Sequence, residues 1–227
     1  MELQFKTATV TGGGRGIGRA TALALAQQGC NVAICSRTSK ELKEVEKHVN
    51  SKKTFLAKKC DVRNSNQVKN FVQDTMRKFK TIDVLVNNAG AGYFKSLRET
   101  TEKDYDETFD TNVRGVFNFC KETVPIMLKS NRRCFIVNIS SGSGKKGYAK
   151  FSAYCASKFA VIGFTESIAE ELAPNILVYA ICPGPVDTKM YYDLFREHPP
   201  IKPEDVAGKI IDTIINPPVS GASIDVI

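Results

Sequence analysis

The chain has 227 residues, 42% hydrophobic and 25% charged, with a formal net charge of +8. That is the balance of a soluble globular domain with a sizeable core, and it excludes a disordered chain. Seven scattered cysteines without a Cys-x-x-Cys pair, and only two histidines, argue against a disulfide framework or a zinc site.

The N-terminus lacks the basic-then-apolar pattern of a secretory signal, and no apolar run reaches spanning length. A cytoplasmic protein with free thiols and no membrane contact is expected. The basic pairs Lys52-Lys53, Lys58-Lys59, Arg132-Arg133 and Lys145-Lys146 are dispersed, with no interleaved aromatic platform. They read as a solvated surface, and a nucleic-acid partner is not expected.

Apolar strands and helices alternate along the chain. A strand at 7–10 leads through a glycine turn to a helix at 16–28. A strand at 31–36 precedes a helix through about 49, which the pair Thr38 and Glu41 opens as a capping box. A strand at 54–57, a helix at 67–79 and a strand at 84–87 follow. Helical patterns at 101–109 and 113–128 come next, and Pro125 tells against an uninterrupted last turn. A strand at 134–139 leads to a helix from 152 to about 172, before Pro174. A strand at 176–181, a helix at 203–215 and a strand at 223–226 end the series. Continuous apolar strands alternating with helices predict an α/β fold: one doubly wound parallel sheet of about seven strands, Rossmann-type, in a single domain over 1–227.

In such sheets ligands bind beyond the carboxyl ends of the strands. The chemistry-bearing residues collect there. Thr11-Gly12-Gly-Gly14-Arg15-Gly16-Ile17-Gly18 follows the first strand, where glycines let the backbone approach a pyrophosphate at a helix N-terminus. The run fits neither G-x-G-x-x-G nor a P-loop. Ser36-Arg37 follows the second strand, where NAD-binding folds place an acid for the ribose 2′-hydroxyl. A hydroxyl and an arginine there, with Arg15 as a second cation, would hold a 2′-phosphate, which predicts NADP(H) over NAD(H).

Ser140-Ser141 follows the fifth strand, and Tyr154-Cys-Ala-Ser-Lys158 lies on the next helix. Residues four apart share a helix face, so Lys158 falls one turn along from Tyr154. A free phenol titrates near pH ~10. A neighbouring ammonium is expected to pull that value down, making a general acid/base, with Ser141 as a neutral donor to an oxygen gaining charge. Alone, Tyr-x-x-x-Lys is also an ordinary feature of a half-exposed helix.

Together, Thr11-Gly-x-x-x-Gly16-x-Gly18, Asp61-Val62, Asn87-Asn88-Ala89-Gly90, Asn112, Ser141, Tyr154-x-x-x-Lys158 and Pro183-Gly184 resemble, in order and spacing, the short-chain dehydrogenase/reductases over essentially the whole chain. The resemblance implies that Asp61 and Val62 contact the adenine. It implies that Asn88, Ala89 and Gly90 line the nucleotide cleft, with Asn87 bracing the sheet. Val186 and Thr188, after Pro183-Gly184, would hold the nicotinamide carboxamide. Asn112 would kink its helix and anchor a water leading from Lys158, and Lys158 would also hold the nicotinamide ribose.

The implied activity is transfer of hydride between NADP(H) and a small-molecule carbonyl or alcohol, in a homodimer or homotetramer, with no metal needed. Two alternatives of the same fold are an NADP(H)-sensing or scaffold protein and an NAD-dependent alcohol dehydrogenase. The short substrate lid, about 188–203, and the few residues after the last strand point to an open pocket. Its expected walls are Gly92, Tyr93, Phe94, Tyr148, Pro185, Tyr191 and Tyr192. Lys145, Lys146 and Lys150 read as a solvated loop that could alternatively favour an anionic substrate.

Overall fold

In the computed structural model, which describes residues 3–49 and 51–227, seven strands form one parallel sheet. In chain order the elements are β1 (Thr7–Thr11), α1 (Gly16–Gln27), β2 (Asn31–Ser36), α2 (Ser39–Glu46), β3 (Phe55–Lys59) and α3 (Ser65–Phe79). Then come β4 (Val84–Asn87), α4 (Glu102–Phe109), α5 (Gly115–Leu128), β5 (Cys134–Ile139) and α6 (Ser152–Leu172). Last are β6 (Ile176–Pro183), α7 (Lys189–Phe195), α8 (Pro203–Ile215) and β7 (Ser223–Val226). The strand order is β3-β2-β1-β4-β5-β6-β7, so the topology reverses between β1 and β4. The crevice above that switch point is where ligands bind in open α/β sheets.

Alternation along each strand builds the two halves of the core. Val32, Ile34, Phe135 and Val137 pack with α1, α2 and α8 on one face. Ala33, Cys35, Leu85 and Ile136 pack with α3, α5 and α6 on the other. Burying a large aliphatic side chain contributes about 1.5–3 kcal/mol, so both faces need their helices. Among the described residues no helix is long and apolar enough to cross a membrane.

Most boundaries follow the sequence pattern, and the departures have local causes. The capping box at α2 does not form, because the Ser36 hydroxyl accepts the Thr38 N–H at 3.1 Å and Glu41 turns toward Arg15. A capping box does form at α4, between Thr101 and Asp104. Asn64 caps α3, accepting from the Gln67 N–H at 3.0 Å, so that helix starts at Ser65. Helix α5 continues past Pro125 to Leu128, held by buried Phe119, Thr123 and Met127. Here packing of the buried face overrides the lost hydrogen bond. The lid segment also contains a helix, α7, that the sequence pattern did not show.

Candidate active site

A cleft of about 630 Å³ runs along the carboxyl edge of the sheet, from Arg37 and Asp61 at one end to Tyr154, Lys158 and the lid at the other. Eighteen of the sequence-predicted residues line it: Gly12, Arg15, Gly16 and Ile17 from the glycine turn, Ser36 and Arg37 after β2, Asp61 and Val62 after β3, Asn88, Ala89 and Gly90 after β4, Ser141, Tyr154 and Lys158, then Pro183, Gly184, Val186 and Thr188 after β6.

The other four, Thr11, Gly14, Gly18 and Asn112, stand behind the wall, and each supports a residue in front. The Thr11 hydroxyl accepts the N–H groups of Asn88 and Ala89 at 2.9 and 3.0 Å. Gly14 packs beneath Ser36 and Glu41. A Cβ on Gly18 would lie 2.4 Å from Asn88 Nδ2 and from the Gly12 carbonyl, so only glycine lets α1 close onto the β4 loop.

Asn112 sits in a π-helical turn, Asp110–Arg114, between α4 and α5. Its Oδ1 accepts the Ala91 N–H at 2.8 Å, while its Nδ2 donates to the Ala91 carbonyl and to Ser157 Oγ, both at 2.9 Å. The kink implied by the resemblance is present, and it ties the β4 loop to α6. Such wide turns recur at functional sites. Asn87 donates to Asn138 at 2.8 Å on its register partner in β5, which braces the sheet below.

At the inner end of the cleft, Lys158 is 4% exposed and its Nζ donates to the Ile139 carbonyl at 2.8 Å. The same nitrogen lies 5.6 Å from the centre of the Tyr154 ring. Burial pushes the Lys158 ammonium down to about 8. Burial also pushes the Tyr154 phenol up to about 12, against an opposing hydrogen bond from Ser141.

In the protein alone burial is the largest influence on the phenol, and it acts upward. Gly92 backs the phenol ring so closely that a Cβ there would lie 2.6 Å from Tyr154 Cδ2.

The outer end is built from ion pairs. Arg15 reaches Glu41 at 3.3 Å and Arg37 reaches Glu107 on α4 at 3.1 Å. Asp61 accepts from the Arg63 backbone and side chain, with Arg63 Nη2 to Oδ2 at 2.6 Å, and that contact holds the Asp61 carboxyl below its ordinary value. Both expected cations are present, but each already has a carboxylate partner, which the sequence did not disclose.

A dinucleotide fits this donor set. Helix α1 has no side-chain cap and no acid in its first turn, so its terminal N–H groups and dipole favour an anion at Gly16 and Ile17. The buried Thr111 hydroxyl, also on the cleft wall, has no hydrogen-bond partner among the described residues.

The aromatic wall differs in part from expectation. Phe94, Tyr148, Pro185 and Tyr191 line the cleft. Tyr93 instead donates to Glu107 at 2.8 Å, and Tyr192 stacks on His198, so neither lines it. Phe151 and Phe195 were not anticipated. Phe151 stacks on Tyr154 at 4.3 Å between centroids, and Phe195 meets Phe94 edge-on at 4.9 Å. The lid helix thus folds its rings over one side of the pocket. Lys145 pairs with Asp225 at 2.6 Å, while Lys146 lies over Tyr148 and Lys150 over Phe94.

The sequence model of the family described as short chain dehydrogenase matches residues 6–199. The chain belongs to the short-chain dehydrogenase family.

Among curated members, the chain is 35% identical over 191 residues to an NADPH-dependent pterin aldehyde reductase of Arabidopsis thaliana, covering 84% of this chain and 78% of the relative. It is 41% identical over 182 residues to the 3-oxoacyl-[acyl-carrier-protein] reductase FabG of Staphylococcus aureus, covering 79% and 74%. Among solved structures, a 3-ketoacyl-(acyl-carrier-protein) reductase from Brucella melitensis complexed with NADH superposes with a TM-score of 0.92 at 26% identity, covering 99% of this chain and 97% of that one. A short chain dehydrogenase from Shigella flexneri complexed with NADP gives the same TM-score and identity, covering 99% and 98%. This short-chain dehydrogenase is an oxidoreductase by family.

Proposed function

We propose that this protein is an NADPH-dependent carbonyl reductase, acting on an aldehyde, ketone or 3-oxoacyl group. The observation that carries the reading is one cleft with the Ser141, Tyr154 and Lys158 side chains at its inner end and the uncapped start of α1, Arg15 and Arg37 toward its outer end. When bound, NADPH supplies the hydride that reduces the carbonyl carbon. Tyr154 gives its phenolic proton to the carbonyl oxygen as charge develops there, which is why a phenol that stays protonated at neutral pH suits the reductive direction. Ser141 steadies the same oxygen by hydrogen bonding. Lys158, buried and fixed to Ile139, presents its remaining N–H groups to the cofactor ribose and returns a proton to Tyr154. Asn112 fixes the β4 loop and Ser157 around them, and by analogy with the family anchors the relay water.

Arg37, Ser36 and Arg15 take the 2′-phosphate, Asp61 and Val62 the adenine, and Val186 and Thr188 the carboxamide. The rings of Phe94, Phe151 and Phe195 favour a substrate with an apolar or flat aromatic part beside its carbonyl.

We also propose that the chain works as one domain and self-associates through α5 and α6. There Phe117, Leu128 and Phe159 are 47–49% exposed. Seven free thiols suit a reducing compartment, the cytoplasm.

A panel of aromatic aldehydes, aliphatic ketones and 3-oxoacyl thioesters, scored by oxidation of NADPH and NADH, tests the reading. Turnover with NADPH on at least one carbonyl class is expected. Tight NADPH binding with no turnover on any class would favour the sensing alternative.

A further inference from the structure

At the outer end of the cleft, Arg37 is paired with an acid from a neighbouring helix. Arg37 leaves the end of β2 half-exposed and sends its Nη1 to Glu107 Oε1, 3.1 Å away on α4. The second oxygen of that carboxylate accepts from Tyr93 Oη at 2.8 Å, and Oε1 also lies 4.0 Å from Arg63 Nη1. Arg63 is otherwise committed to Asp61. Tyr93 and Arg37 together hold the Glu107 carboxyl below the usual range. Its side chain is 22% exposed against 50% for Arg37, so the fixed member of the pair is the acid and the adjustable member is the arginine. A second pair at the cleft, Arg15 with Glu41, is longer at 3.3 Å, and its acid lines the cleft directly.

We infer that Glu107 is a positioning residue that sets how strongly the protein prefers a cofactor bearing a 2′-phosphate, by competing with that phosphate for Arg37. The inference rests on the proposed role of Arg37 as the phosphate partner. The physical reason is direct. A phosphate monoester carries close to two negative charges at neutral pH. A carboxylate hydrogen-bonded to the receiving guanidinium therefore both occupies one of its donors and repels the newcomer. A cofactor with a free 2′-hydroxyl meets neither cost, so Glu107 narrows the gap between the two cofactors. Charge pairs this exposed are worth up to about fivefold in an equilibrium constant.

Calorimetric titration with two adenosine phosphates tests this without turnover. Adenosine 2′,5′-bisphosphate and adenosine 5′-monophosphate differ only in the 2′-phosphate. Glu107→Gln keeps the size of the side chain and is expected to tighten the bisphosphate about fivefold, leaving the monophosphate within about twofold. Arg37→Ala should weaken the bisphosphate selectively, and in the Arg37→Ala/Glu107→Gln double variant the gain should vanish.

If Arg37→Ala leaves the ratio of the two affinities unchanged, the phosphate role of Arg37 fails and the inference falls with it. If Arg37→Ala lowers the ratio but Glu107→Gln does not raise it, only the inference about Glu107 is overturned. Tyr93→Phe removes the other partner of Glu107. A rise in the ratio equal to that of Glu107→Gln would trace the effect to the loop carrying Tyr93 and overturn the competition for Arg37.

Discussion

The two ends of the cleft are held in different ways. At the inner end Lys158, Asn112 and Ser157 are 4%, 1% and 0% exposed, and neutral hydrogen bonds and backbone carbonyls fix them. At the outer end Arg15 and Arg37 are half-exposed, and ion pairs from neighbouring helices hold them. Burial fixes atomic positions and moves proton affinities, as it does for Tyr154 and Lys158. Exposed ion pairs contribute about 0–1 kcal/mol each and are screened by salt, so they adjust preference without fixing geometry. On the proposed reading, chemistry belongs to the rigid end and cofactor choice to the adjustable one.

Substitutions at the two ends should separate accordingly. Tyr154→Phe removes one hydroxyl from the inner end. Steady-state assays should show carbonyl reduction lower by about 10²–10⁴-fold, while NADPH binding followed by fluorescence stays within about twofold. Equal losses in rate and in binding would break the separation.

Asn112→Ala deletes three hydrogen bonds that join the β4 loop to α6. Denaturant unfolding should show a loss of about 1–3 kcal/mol, because the Ala91 N–H and carbonyl lose their partner, while Ser157 Oγ keeps its bond to the Tyr154 carbonyl. A change below about 0.5 kcal/mol would mean that the π-helical turn is held by other contacts.

At the outer end, Arg37→Asp reverses a charge beside the proposed phosphate. The ratio of kcat/KM with NADPH to that with NADH should fall by about tenfold or more, through KM for NADPH and with little change in kcat. A fall in kcat alone would contradict the division between the ends.

How far the sequence disclosed each end follows from the range of its contacts. The kink at Asn112 came only through the family resemblance, whereas the glycine turn and Tyr154 with Lys158 are short-range spacings, and the strands that lead to them are strongly apolar. The parallel sheet and its strand ends were legible for the same reason. The partners of the arginines were not: Glu41 is 26 residues from Arg15, and Glu107 is 70 from Arg37. No local pattern marks such pairs.

Phe195 was hidden likewise, because its meeting with Phe94 depends on a lid helix whose seven residues carry no buried side chain and hence no periodic signal. A helical reading of the lid would have set Tyr191 and Phe195 on one face, four residues apart. The direction of the Tyr154 shift also could not be read locally. Spacing places an ammonium near the phenol, but only the packed structure reveals that burial pushes the phenol up and the ammonium down.

The pH profile of kcat/KM for carbonyl reduction reports ionisations of the free enzyme and so addresses that last point most directly. With Tyr154 protonated up to about 12 and Lys158 losing its proton near 8, kcat/KM should be level through neutrality and fall as the pH rises through about 8. Lys158→Ala should lower the plateau and remove that inflection. A rate that instead climbs with pH above about 8 would make the phenolate the working form and contradict the assignment of Tyr154 as a burial-protected proton donor.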